Sequence, residues 1–306
     1  MRPLRSSLPG GLYELTTRVA GGQLLATPTQ EVHDLILGVI GHAMRAHDVQ
    51  LHAFVFMSNH YHMLLSVPNS KTLSDFMCLL NTNISRELNL VNDRDDTLWG
   101  RRFRSIPVTA DGATQQWRLR YLLSHGVKEN LVAKPADWPG ASSLPWMRDG
   151  KVLKGKWIRR TEMYYAGRRK DFVENVAAFT TIYTIELTVL PCWQHLPEAG
   201  WRKLVRDMIA EIEAEAHEAR EAGGRPPLGV AAVLAQDPFS RVRIRRSRAP
   251  SVLSVDAGAR RALRAELRAR EAAWRDAAHA AMEALVGVAE AARRRLPAMF
   301  WRALVV

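Results

Sequence analysis

Apolar and polar positions alternate from Leu12 to Val19, the signature of a half-buried strand. Gly21-Gly22 reads as a turn, and Leu24-Leu25 as a short return strand. From Thr29 to about His47 the pattern changes period: Val32, Leu35, Ile36, Val39, Ile40 and Ala43 recur at helical spacing, with Thr29 as N-cap. Gln50–Met57 and His60–Val67 read as an antiparallel pair joined by Ser58-Asn59, and Pro68-Asn69 closes the second strand. Lys71 to Leu90 carries Leu73, Phe76, Met77, Leu80, Ile84 and Leu88 on one helical face. A polar turn at Asn92–Asp96 leads to a strand over Leu98–Val108, then a helix from Ala113 to about Ser124, ending near Gly126 as a C-cap residue. Strand, helix, strand, strand, helix, strand, helix predicts an α+β fold: a mostly antiparallel sheet with helices on one face, close to the ferredoxin-like arrangement.

Beyond this point the pattern shifts. Asp137–Ser143 reads as a loop and Asp149-Gly150 as a turn, which places a domain boundary there: residues 1–148, then a basic, mainly helical extension over 149–306. Helical stretches are predicted at Phe172–Leu187, Trp201–Ala222 and Ala257–Leu296, broken by Gly223-Gly224-Arg225-Pro226-Pro227. Charge follows the same division. Residues 1–148 hold 15 Lys and Arg against 12 Asp and Glu, and residues 149–306 hold 28 against 19, giving +12 overall and pointing to a polyanionic partner. Arg241–Arg248 is a dense basic run, including Arg243, Arg245 and Arg246, suited to phosphate. Two cysteines, Cys78 and Cys192, exclude a disulfide framework and a cysteine-built zinc site, and point to a reducing cytoplasm. No membrane span is expected.

The chemistry concentrates in His60-Tyr61-His62. Alternate residues of a strand share a face, so both imidazoles can converge on one divalent ion. Tyr121 and His125 are four apart on a helix and also share a face. Tyr121 can supply a nucleophile that leaves a covalent intermediate; His60, His62 and His125 can supply metal ligands. Ligand positions left to water and phosphate oxygens suit Mg²⁺ or Mn²⁺, and an all-nitrogen set would also take Zn²⁺ or Ni²⁺. Arg101, Arg102, Arg104, Arg118 and Arg120 flank these residues and are candidates for binding nucleic acid. Ser58 and Asn59 are expected to shape the turn, and Trp99, Trp117 and Trp138 to pack in the core or stack on bases. Each signal alone is ordinary; the combination in a basic α+β domain is not.

Phe54–Leu65, with Met57-Ser58-Asn59-His60-Tyr61-His62 at its centre, resembles the histidine–hydrophobic–histidine motif of single-tyrosine transposases, in the REP-associated tyrosine transposase branch. Leu98–Phe103, Arg120–Leu123 and Trp138–Ser143 are similar to further segments of that branch, so the resemblance covers about residues 8–146. It implies a ferredoxin-like (RRM-like) catalytic domain that cleaves and rejoins single-stranded DNA near hairpin-forming repeats. It implies a 5′-phosphotyrosine on Tyr121, a free 3′-hydroxyl, and a divalent metal held by His60 and His62. Where the family often has Asn or Gln as a third ligand, this chain has His125, and where Pro usually follows, it has Gly126. The implied setting is the bacterial cytoplasm at the nucleoid, with DNA as partner and a homodimer as the expected assembly. Two other readings stay open at this stage: a DNA-binding protein of the same fold without turnover, and an RRM-like RNA-binding module.

Overall fold

The computed structural model describes residues 8, 10–168, 175–242 and 250–295. Its elements in chain order are β1 (Leu12–Arg18), α1 (Gln30–Ala46), β2 (Gln50–Met57), β3 (His60–Ser66), α2 (Ser70–Val91), β4 (Arg104–Pro107), α3 (Gly112–Leu123), α4 (His125–Lys128), α5 (Leu144–Asp149), β5 (Leu153–Ile158), α6 (Arg160–Ala166), β6 (Thr180–Ile185), α7 (Glu198–Gly223), α8 (Val230–Leu234) and α9 (Ala257–Arg295). The four strands among the first six form an antiparallel sheet in the order β2-β3-β1-β4, the ferredoxin-like topology. The α+β reading is therefore that of the molecule.

Strand periodicity sorts the sheet's residues between two layers. Tyr13, Leu15, Leu51, Phe54, Phe56, Tyr61, Met63 and Leu65 share one core with the apolar stripes of α1 and α2. The intervening positions Leu12, Ala53, Val55, Met57, Leu64 and Ile106 face the opposite layer, built by Leu119 and Leu122 of α3 and by Trp201, Val205, Ile209 and Ile212 of α7. The helices expected on one face are α1 and α2, and α3 with α7 closes the other. Glu14, His60 and His62 fall on the α3 side by the same alternation.

Local chemistry starts and stops these elements where the sequence places the signals. Thr29 caps α1 by accepting from Val32 N, Asn69 caps α2 through Thr72 N, and Asp111 caps α3 through Thr114 N at 2.8 Å. The Ser58-Asn59 turn is tied down by Val19 N donating to Asn59 O and Ala26 N to Ser58 O. Gly126 lies inside α4 rather than ending α3; a Cβ there would stand 3.1 Å from Val132 Cγ2 and 3.3 Å from the Trp138 ring. Leu24-Leu25 forms no strand, because both side chains turn into the core instead of extending a pair. The strand expected over Leu98–Val108 is confined to Arg104–Pro107, with Trp99 bridging Val19 separately.

Beyond residue 148 the chain does not leave this fold. One compact unit runs on to Arg260, and a second begins at Arg261. The boundary near 148 is thus a loop within a unit: Val108 bridges Leu253, Leu228 N donates to Asn130 O, and Leu24 N donates to Ser240 O. His52 fastens the segment before α7, its Nδ1 lying 3.1 Å from both Thr188 O and Val189 O and its Nε2 2.9 Å from Ser66 Oγ. The helix expected over Phe172–Leu187 is instead β6 over Thr180–Ile185, paired with β5 in an antiparallel ribbon; residues 172–174 lie outside the described residues. Threonine and β-branched isoleucine dominate Thr180–Ile185, and a partner strand outweighs the helical spacing. α7 and α9 match their predicted stretches. The described part of α9 beyond Arg260 is a long helix with exposed Met282, Leu285 and Val288.

The β5–β6 ribbon packs on α1 at backbone distance. A Cβ on Gly38 would stand 1.9 Å from Lys156 O, and one on Gly155 would stand 2.0 Å from Gly38 N. Glycine is required here for approach, not for a left-handed φ. Gly38→Ala is expected to cost about 1–3 kcal/mol and lower the thermal midpoint by roughly 2–10 °C. Gly223→Ala, where nothing lies within 4 Å, is expected to be neutral or stabilising. Paired thermal melts check the contrast; equal midpoints would show that the ribbon is not locked to α1.

Candidate functional site

Four side chains named from sequence meet on the α3 side of the sheet. β3 presents His60 and His62, α3 presents Tyr121, and α4 continues its path closely enough to bring in His125. Ring centroids lie 5.4 Å apart for His60–His62, 4.8 Å for His60–His125 and 4.8 Å for His62–His125. The Tyr121 ring stands 5.3 Å from His62 and 5.2 Å from His125. One nitrogen from each of the three histidines falls within 4.8 Å of the others, and among the described residues this is the group placed to hold a metal ion.

The supporting contacts prepare the histidines as ligands. His60 Nδ1 lies 2.6 Å from Asn59 Oδ1 and His62 Nδ1 lies 2.8 Å from Glu14 Oε1. Both oxygens accept, so each ring donates Nδ1–H and, when neutral, turns the lone pair of Nε2 away from that partner. His60 Nε2 faces His125 Nε2 at 2.7 Å, and the buried His125 Nδ1 has no hydrogen-bond partner. Three crowded imidazoles with an orphaned buried nitrogen have the donor chemistry that suits a divalent cation.

Glu14 links this cluster to the nucleophile candidate. It sits diagonally across from His62 in the β1–β3 register, where Thr16 is directly opposite. Its second oxygen takes the Arg118 guanidinium at 2.5 Å. Burial alone would raise the Glu14 carboxyl; the His62 hydrogen bond and charge and the Arg118 charge outweigh it and hold the carboxyl below its ordinary range. Arg118 Cζ also lies 4.2 Å over the Tyr121 ring, and Lys128 Nζ lies 4.6 Å over it. Burial and the Glu14 charge push the Tyr121 phenol up, against the lowering effect of Arg118.

The flanking arginines divide by environment. Arg101, Arg102 and Arg104 are exposed. Arg118, grouped by sequence with the residues that bind nucleic acid, is only 6 % exposed and committed to Glu14, so it supports the site from within and presents nothing to a phosphate. Arg120 pairs with Glu215 at 2.8 Å, a surface contact that costs little to open. Arg243, Arg245 and Arg246 lie outside the described residues. Trp138 is buried, with Nε1 donating to Phe56 O; Trp99 donates to Asn81 O; Trp117 is exposed beneath Arg118. Sequence reading missed Glu14, although a carboxylate amid Leu12, Tyr13 and Leu15 is the kind of inward charge that strand alternation reveals. It also gave Asn59 only a turn role, whereas its side chain orients His60.

Burial holds His52 and His60 below the ordinary histidine range, and the neighbouring His62, His125 and Arg18 charges add to this for His60. His125 is driven by burial and by the His62 charge down to about 2. Each ring is thus less basic folded than unfolded, so its contribution is complete above the unfolded value of about 6.5 and is lost as pH falls below it. The metal-free protein is expected to melt at progressively lower temperature from pH 7 to pH 5, and His125→Gln to flatten that profile. A pH-independent midpoint would contradict the neutral burial of His52, His60 and His125.

A match to the family described as "Transposase IS200 like" covers residues 26–122, from the start of α1 through Tyr121. A search of curated proteins gave no match. Among solved structures, the chain is similar to a REP-associated tyrosine transposase bound to a REP hairpin, with 18 % identity over 57 % of this chain and 93 % of that one and a TM-score of 0.37. It is also similar to a transposase candidate from Deinococcus radiodurans R1, with 19 % identity over 40 % of this chain and 95 % of that one and a TM-score of 0.28. Residues 26–122, which carry β2, β3 and Tyr121, are thus the part of this chain that is similar to the IS200-like transposases.

Proposed function

We propose that this chain is a divalent-metal-dependent strand transferase that uses Tyr121 to cut and rejoin single-stranded DNA beside hairpin-forming sequences. The observation that carries the reading is the placement of Tyr121 against His62 and His125, within a cluster whose three imidazole nitrogens lie within 4.8 Å. His60, His62 and His125 would hold Mn²⁺ or Mg²⁺, which when bound polarises the scissile phosphate.

The chain's own residues account for the rest. The Tyr121 oxygen forms a bond to the phosphorus as the bond to the 3′ oxygen breaks. The phenol proton is given up and the departing oxygen gains one, leaving a 5′-phosphotyrosine and a 3′-hydroxyl. A second 3′-hydroxyl reverses the exchange, so the phosphodiester is conserved without oxidant or nucleotide. Arg118 and Lys128 hold positive charge over the phenol ring, where it favours the ionised nucleophile. Glu14 fixes His62 and Arg118 together, so ligand and nucleophile keep their spacing. Exposed Arg101, Arg102 and Arg104 contact the strand's phosphates, with Arg120 available once its surface pair opens. The +12 charge supplies most of the affinity. Residues 149–306 then serve as the grip on duplex or flanking DNA.

Incubating the protein with labelled hairpin DNA bearing single-stranded flanks and Mn²⁺ is expected to give a denaturation-resistant adduct. Tyr121→Phe should abolish it while retaining DNA binding, and His60→Ala or His62→Ala should lower it at least about 100-fold. An adduct that persists in Tyr121→Phe sinks the assignment of the nucleophile. For the metal, Mn²⁺ titration followed by electron paramagnetic resonance should show one tight site, with Asn59→Ala weakening it about 10–100-fold. Unchanged Mn²⁺ binding in a His60→Ala, His62→Ala double variant would remove the histidines from the metal site.

A further inference from the structure

The β5–β6 ribbon has two faces of unlike character. Its inner face is consumed by α1: Leu153 and Ile185 are buried, Gly155 meets the helix backbone, and Trp157 stacks on His42 with centroids 4.0 Å apart. Its outer face carries Lys154 opposite Thr184 and Lys156 opposite Ile182, all exposed. Ile182 is 55 % exposed at the centre of this face, where packing within the unit gives it little to do. Arg159 Nη1 anchors to Thr181 Oγ1 at 2.6 Å, and α6 follows with Tyr164 and Tyr165 each 62 % exposed and Arg168 Cζ 5.3 Å over the Tyr164 ring. Residues 151–168 hold six Lys and Arg against one acidic residue, Glu162. The ribbon and α6 lie outside the segment matched to the transposase family.

We propose that the β5–β6 ribbon is a duplex-DNA-binding element that lays its outer face in the major groove of a DNA stem. The choice of a stem rests on the strand-transferase reading; the fit to duplex rests on the ribbon itself. Two strands about 4.8 Å apart, with their side chains, fill a groove about 12 Å wide. Residues two apart on a strand advance roughly 6.8 Å, which spans two base-pair steps of about 3.4 Å. Lys154 and Lys156 therefore meet phosphates or guanine edges two steps apart, Thr184 adds a hydrogen-bonding hydroxyl, and Ile182 gains an apolar partner in a thymine methyl. Backbone packing on Gly38 orders the ribbon before DNA arrives, so binding pays little to rigidify it. A-form RNA, with a deep and narrow major groove, would not admit the ribbon.

The test compares full-length Tyr121→Phe protein, which cannot trap DNA covalently, with the same protein carrying Lys154→Gln and Lys156→Gln. Fluorescence anisotropy is read against a DNA stem-loop, an unpaired strand and an RNA stem over a range of salt. Affinity for the DNA stem should fall about tenfold, and the slope of log affinity against log salt should lose about one per lysine; the unpaired strand should be far less affected. Lys156 makes a surface pair with Asp34 at 2.7 Å, so Lys154→Gln alone serves as the variant that leaves it intact, and thermal melts confirm folding. Equal losses on paired and unpaired DNA, no loss at all, or an RNA stem bound as tightly as the DNA stem would each overturn the proposal. A wild-type chain that forms no tyrosine adduct but keeps lysine-dependent stem binding refutes the catalytic reading and leaves the ribbon assignment in place.

Discussion

A single buried carboxylate organises the candidate site. Glu14 lies inside the layer between the sheet and α3, with one oxygen on His62 and the other on Arg118. A lone charge at that depth would cost several kcal/mol, so both partners are needed to keep it there. Each partner in turn bears on a different functional group. His62 is one of the three clustered imidazoles, and Arg118 covers the Tyr121 ring. The carboxylate thereby couples a strand that presents ligands to a helix that presents a phenol, and neither can rotate away without exposing an uncompensated charge.

The ferredoxin-like core was legible because its periods are clean. α1 and α2 carry continuous apolar stripes, and β1 to β3 alternate with turn residues at their ends. The histidine pair was legible for the same reason: alternation alone fixes His60 and His62 on one side. Helical spacing then put His125 beside Tyr121, although α3 and α4 are assigned as two helices with Ser124 between them.

What the sequence concealed depends on contacts between distant segments. Lys154-Gly155-Lys156 does not look like a strand, since glycine weakens the signal and lysine is a poor strand former. Its pairing with Thr180–Ile185 is worthwhile only because α1 offers a surface to cover. The turn at Asp149-Gly150 resembles a boundary locally, yet α7 buries Trp201, Val205 and Ile209 against the same core as α3. Glu14 escaped notice because its partners are 48 and 104 residues away.

The mutual exclusion of Gly38 and Gly155 has a bearing on how this architecture can be rearranged. A methyl group on Gly38 would strike the Lys156 carbonyl and one on Gly155 would strike the Gly38 nitrogen, so a helix that carries alanine at the first position cannot accept this ribbon, and a ribbon with a side chain at the second cannot dock on this helix. Chimaeras that join the front of one homologue to the rear of another will fold only when both partners keep the bare backbone crossing. The appended segment is thus inherited with its helix as a matched set, not as an interchangeable tail.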